Sequence, residues 1–232
     1  LDRPNPNGDY VAGAVLEPEF KSFVGVDPIP VVHGCTVGEL AMMINGEGWL
    51  EGKMKCDVEI VKVKNYKHTD HYSIPVKPSP NLPNDLSIRL YPSLCFFEAT
   101  NVSIGRGTGF PFQVIGYPNE LFGSFTFSPE NIQGVATNPK QEGKLCYGTD
   151  LRLEKNIPEF TLKYFIDWYH KFQDEKDFIS SENWLNKLVG TGDLLKMIRE
   201  NKSEAEILKE WQPGLDAYKK IRKTYLLYPD FE

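Results

Sequence analysis

The sequence predicts an α+β protein, with a mixed sheet region in the first two thirds and a mainly helical C-terminal third packed on it. Three observations carry this expectation. Most of the 19 glycines and 17 prolines fall within residues 1–150, between short apolar runs. Two S/T-x-x-E sequences, Thr36 to Glu39 and Ser203 to Glu206, stand before apolar residues at helical spacing. After Pro158, aromatic residues recur at intervals of four and five, the spacing of one broad helix face.

Thr36 and Glu39 predict a helix whose apolar face is Leu40, Met43 and Ile44, with a stop at Asn45-Gly46. Val58, Ile60 and Val61 predict a strand over Asp57–Val63. Pro75, Pro78, Pro80 and Pro83 force an extended loop, since each fixes its own φ and biases the residue before it away from helix. Asn101–Ile104 and Phe112–Ile115 read as strands around a Gly-rich loop, and residues 124–153 as further strands with turns at Asn138-Pro139 and Glu142-Gly143. Pro158 is a good first-turn residue for a helix bearing Phe160, Tyr164, Phe165, Trp168, Tyr169 and Phe172, a face that reads as core. Shorter helices follow near Glu182–Leu188 and Gly192–Arg199. Ser203 caps a last helix, in which Pro213 is a potential kink.

Composition excludes several classes. Of the 232 residues, 41% are hydrophobic and 25% charged, an ordinary globular balance. A net charge of -6 disfavours nucleic acid as a main partner. No apolar run approaches the ~18 residues of a membrane span. The chain opens on Leu1-Asp2-Arg3 without Met or an apolar leader, the expectation for a fragment or a processed form. Cys35, Cys56, Cys95 and Cys146 form no C-x-x-C pair and read as buried free thiols.

Generic chemical motifs fall away on inspection. Gly105-Arg106-Gly107-Thr108-Gly109 lacks dinucleotide spacing, and Pro111 bars the helix that would cradle a phosphate. His68-Thr69-Asp70-His71 has no third ligand within sequence reach and reads as a solvated loop rather than a metal site. The remaining candidates are polar residues in apolar or turn-rich surroundings. Glu98 follows Leu94-Cys95-Phe96-Phe97, so it is either paired, hydrogen-bonded or protonated. Arg106 is its candidate partner. The alternatives are a structural ion pair holding the Gly-rich loop, or a pocket in which Glu98, Asn101 and Arg106 bind a polar ligand. Asp2, Arg3 and Asn5 lie in a segment stiffened by Pro4 and Pro6. His33, next to Gly34, is either a satisfied loop histidine or a ligand contact.

Six ordered blocks then match one family: LDRPNP at 1–6, IPVVHGCTVGELA at 29–41, KPSPNLP at 77–83, YPSLCFFEATNVSIGRGT at 91–108, PF at 111–112 and YLLYP at 225–229. In this the chain resembles the DUF1343 family, the exo-β-N-acetylmuramidases of peptidoglycan recycling. Ala99 stands where the family has Gly, and Asn7-Gly8-Asp9 replaces its commoner apolar–Gly pair. The resemblance implies a bacterial, exported, extracytoplasmic two-domain glycosidase with an active-site cleft between a Rossmann-like N-terminal domain and a second α+β domain. It implies that this chain is the second domain alone, with residues 1–10 a junction segment, 11–153 its strand- and loop-rich part and 154–232 its helical part. The N-terminal domain, which bears the family's proposed catalytic Glu, is then missing and becomes a partner. The implied substrate is a muropeptide or peptidoglycan-derived disaccharide, cleaved to release N-acetylmuramic acid from the non-reducing end, with no cofactor or metal. Glu98 is the candidate catalytic residue on this wall of the cleft, and Asp2, Arg3, Asn5, His33, Asn101 and Arg106 are candidate substrate-binding residues. A non-catalytic glycan-binding or protein-interaction module is the alternative reading.

Overall fold

A computed structural model describes residues 1–232. The chain partitions into two compact units: Leu1–Ser73 with Val189–Glu232, and Ile74–Leu188. The α+β class holds, although every strand pairing is antiparallel.

The discontinuous unit is built on a two-stranded sheet, β1 (Ala12–Val15) and β2 (Pro30–Val32). Helix α1 (Val37–Glu47) follows, with the expected capping box between Thr36 and Glu39. It runs through Asn45-Gly46 and ends at Gly48, whose φ of 69° is left-handed. Gly46 serves close packing instead: a Cβ there would lie 2.2 Å from the Tyr225 hydroxyl oxygen. Residues 57–63 form no strand, contrary to their local pattern. Their backbone is tied singly, Val61 O accepting from Asp2 N–H and Val63 N–H donating to Tyr228, so no ladder forms.

Four helices are specific to the other unit: α2 (Asp85–Leu94), α3 (Lys163–Tyr169), α4 (Glu175–Phe178) and most of α5 (Glu182–Val189). Its sheet has the order β3 (Val114–Tyr117), β5 (Cys146–Asp150), β4 (Phe125–Phe127). Asn101–Ile104 makes only the isolated Ser103–Gly116 bridge, not the expected strand. The aromatic stretch is helical only from Lys163, and its face is core: Phe97, Phe165 and Phe178 are fully buried, with ring centroids 5.2–6.2 Å apart.

Helices α6 (Asp193–Arg199) and α7 (Glu204–Tyr225) complete the first unit. Ser203 and Glu206 form the second expected capping box, and α7 carries Pro213 without interruption. This helix packs on β1 and α1, around Cys35, Met43 and Tyr218. All four cysteines are free, but Cys56 is exposed rather than buried. No helix is long and apolar enough to cross a membrane.

Candidate functional site

In the unit of residues 74–188, the short 3-10 helix Cys95–Ala99 carries Glu98. Its neighbours Phe96, Phe97 and Ala99 are fully buried, which leaves the Glu98 side chain at the surface of the core with 25% exposure. The Gly-rich loop supplies the other charge. Gly105 and Gly107 both have positive φ, and a Cβ on Gly107 would stand 2.5 Å from the Glu130 carbonyl oxygen, so glycine is required on either side of Arg106. Thr108 closes the turn through its hydroxyl, 2.6 Å from the Gly105 carbonyl. Arg106 Nη1 then lies 3.4 Å from Glu98 Oε1, with the arginine side chain 43% exposed. A contact this long and exposed is a weak ion pair. It engages one of five guanidinium N–H donors.

Glu98, Arg106, Lys140 and Trp184 line a cavity of about 250 Å³, with Ser103 and Asn138 among its polar walls. Lys140 was not singled out from the sequence, where a lysine after Asn138-Pro139 looks like any solvated turn residue. Its ammonium donates to the Phe97 and Glu98 carbonyls at 3.0 and 2.8 Å, and to that of Thr100. Burial pushes the amine down to about 8; Glu98 opposes this and Arg106 adds to it. Asn101 belongs to the same unit but does not line the cavity. Its Nδ2 donates to the Asp177 carbonyl at 3.1 Å and its N–H to that of Phe178 at 2.8 Å, pinning α4.

The remaining candidates belong to the other unit. Asp2 is buried, and its carboxylate accepts from Thr36 Oγ1 at 2.8 Å, Gly38 N at 2.7 Å, Tyr228 Oη at 2.5 Å and Arg3 N at 2.8 Å. Burial acts upward on its pKa, but these donors together hold it below the ordinary carboxylate value. Asp2 thereby anchors the N-terminus of α1, where negative charge is favoured. Arg3 is exposed and donates to the Asp2 carbonyl. Asn5 accepts from Asn7 N–H and donates to the Cys35 carbonyl at 3.3 Å. His33 Nδ1 accepts from Cys35 N–H at 3.1 Å, so Asn5 and His33 converge on Cys35. Burial, aided by the Arg222 charge and opposed by Glu39, pushes the His33 ring down to about 4.

His68 corrects the solvated-loop expectation. It is fully buried, with ring nitrogens 3.0 Å from Glu39 Oε1 and 3.0 Å from the Gly8 carbonyl oxygen. Glu39 also accepts from the N–H groups of Thr36 and Leu227, so one carboxylate joins the α1 cap, the residue 68 segment and the chain after α7.

Residues 89–228 match the family model described as exo-beta-N-acetylmuramidase NamZ, C-terminal, and residues 1–86 match the corresponding N-terminal model. The N-terminal match overturns the expectation that the chain is the second domain alone and that the N-terminal one is missing. The chain is 34% identical over 247 residues to the peptidoglycan beta-N-acetylmuramidase NamZ of Bacillus subtilis (strain 168). That alignment takes in 98% of this chain and 58% of the relative, so the chain spans a little over half of the relative's length. A crystal structure of a DUF1343 family protein from Bacteroides fragilis NCTC 9343 superposes with a TM-score of 0.94 at 47% identity, covering 99% of this chain and 65% of that one. A second DUF1343 structure from the same organism gives 0.72 at 23% identity over 98% of this chain and 65% of its own, a likeness of fold.

Proposed function

The chain belongs to the exo-β-N-acetylmuramidase NamZ family, and from that premise we propose that it acts in hydrolytic release of N-acetylmuramic acid from the non-reducing end of peptidoglycan fragments, with the Glu98–Arg106 cavity as its sugar-acid subsite. The observation that carries the proposal is the state of Arg106. Its guanidinium is held in place by a glycine-flanked turn yet engaged by a single 3.4 Å contact, beside a carboxylate and an indole. N-acetylmuramic acid differs from N-acetylglucosamine by a lactyl carboxylate, and a planar guanidinium with free donors is the side chain best matched to such a group. Trp184 offers an apolar face for the ring, and Glu98 offers one of the two carboxyl groups that glycoside cleavage ordinarily uses.

The cavity forms one wall of the substrate cleft in this proposal. The family resemblance supports a site of action outside the cytoplasmic membrane of a bacterium in this proposal. The test is release of N-acetylmuramic acid from a chromogenic muramide by the full chain, compared with Glu98→Gln and Arg106→Lys. Loss of turnover in Glu98→Gln, and a greater loss in Arg106→Lys on the muramide than on a carboxylate-free analogue, are the expected results. Equal losses on both substrates would refute the role of Arg106. A second reading is favoured by the single carboxylate among the cavity walls: a glycan-binding module without turnover. Binding of N-acetylmuramic acid with no hydrolysis by folded protein would select it.

A further inference from the structure

We propose that Lys140 is a positioning residue for Glu98: its ammonium gathers the carbonyls of Phe97, Glu98 and Thr100 and so fixes the turn that presents the Glu98 carboxylate to the cavity. The inference rests on the reading of that cavity given above.

The geometry is a matched count. A lysine ammonium carries three N–H donors. Three carbonyl oxygens meet them, those of Phe97 and Glu98 at 3.0 and 2.8 Å and that of Thr100. The backbone is bent to deliver this side chain, because Asn138 and Gln141 on either side both adopt left-handed φ, 49° and 60°. Such conformations are disfavoured for residues other than glycine and persist where surrounding contacts hold them. Gln141 adds a fourth tie from the same turn, its Nε2 donating to the Asn101 carbonyl at 2.7 Å. One turn therefore grips the main chain from Phe97 to Asn101, which bears both candidate side chains of that stretch.

The arrangement needs the charged amine. A neutral amine has two donors, so deprotonation frees one carbonyl and removes the positive charge from all three. The charged groups acting on Lys140 are the Glu98 carboxylate, which favours the ammonium, and the Arg106 guanidinium, which disfavours it together with burial. The balance leaves the amine titrating at about 8, within reach of ordinary solution conditions.

Two measurements on the full chain test this. The first needs no ligand: backbone amide NMR signals of residues 97–101 are followed from pH 6.5 to 9.5. Wild type should show a shared titration with a midpoint near 8, absent from both Lys140→Arg and Lys140→Met. The second is binding of N-acetylmuramic acid over the same range. Wild-type affinity should fall about tenfold across the alkaline limb, the consequence of roughly one unit of linkage. Lys140→Arg, which stays charged, should flatten that fall, while Lys140→Met should bind weakly at every pH. An amide titration that persists in Lys140→Arg, or wild-type binding by Lys140→Met, would overturn the inference. If wild type binds no N-acetylmuramic acid at any pH, the reading of the cavity fails instead, and the ligand-free amide titration still decides the role of Lys140.

Discussion

Arg222 shows what a buried charge requires. It is 1% exposed, and its guanidinium meets both Asp230 carboxylate oxygens at 2.7 Å, the Gly34 carbonyl through Nε and Nη2, and the face of Phe231 at 4.6 Å. Truncation would leave Asp230 and the Gly34 carbonyl without these donors, so Arg222→Ala should cost about 3–5 kcal/mol, read from the denaturant midpoint. The same charge lies behind a pH prediction. His33 titrates at about 4 in the folded protein, against 6.5 ordinarily, because of burial and then Arg222. Between these values the unfolded chain binds a proton that the folded chain refuses. The contribution of His33 to stability is therefore full above pH 6.5 and declines as pH falls towards about 4. The melting temperature of wild type should fall over that window, and His33→Asn, which keeps an acceptor for Cys35 N–H, should flatten the fall. Asp2 and Asp230, whose folded pKa values lie below the ordinary carboxylate value, withdraw their contributions at lower pH still. Little of this was legible from sequence. Arg222 lies 188 residues from the Gly34 carbonyl it meets, and only folding reveals which charges share a site.

At the scale of elements, legibility tracked how local the physics is. The capping boxes of α1 and α7 were readable because donor and acceptor lie three residues apart. That of α2 was not, since Asn84 is answered by Ser87 rather than Glu or Gln. The strand expected at Asp57–Val63 failed for the opposite reason: β-branched residues favour extended backbone, but a strand exists only where another strand pairs with it. Caps also differ in weight. The Thr36 hydroxyl accepts from Glu39 N–H and donates to buried Asp2, whereas Ser203 is exposed. Thr36→Ala should cost about 2 kcal/mol and Ser203→Ala about 1 kcal/mol or less in equilibrium unfolding. Strand β5 has its own constraint at Gly148, where a Cβ would lie 1.8 Å from the Ile115 carbonyl oxygen. Gly148→Ala should abolish the paired-strand amide signals of β3, β5 and β4.

At the scale of the whole molecule, composition divided the chain near residue 153, while the compact units divide it at 73/74 and 188/189. Composition reports what each segment is made of, not which distant segment it packs against; α7 returns to β1 across some two hundred residues. Family resemblance could not rank the matching residues. Asp2 is tied to the start of α1 and to Tyr228, and Asn101 to the backbone of residues 177–178, whereas Glu98 and Arg106 meet at a cavity and share it with the unforeseen Lys140. The proposed function depends on Arg106 as the receptor for an acidic sugar. The most direct measurement is a calorimetric titration of the full chain, wild type beside Arg106→Met, with N-acetylmuramic acid and with N-acetylglucosamine at pH 7. The prediction is that wild type prefers the muramic sugar by about tenfold or more, the worth of one charge-assisted hydrogen bond, and that Arg106→Met erases the preference. Equal affinities in wild type, or a preference that survives in Arg106→Met, would contradict it.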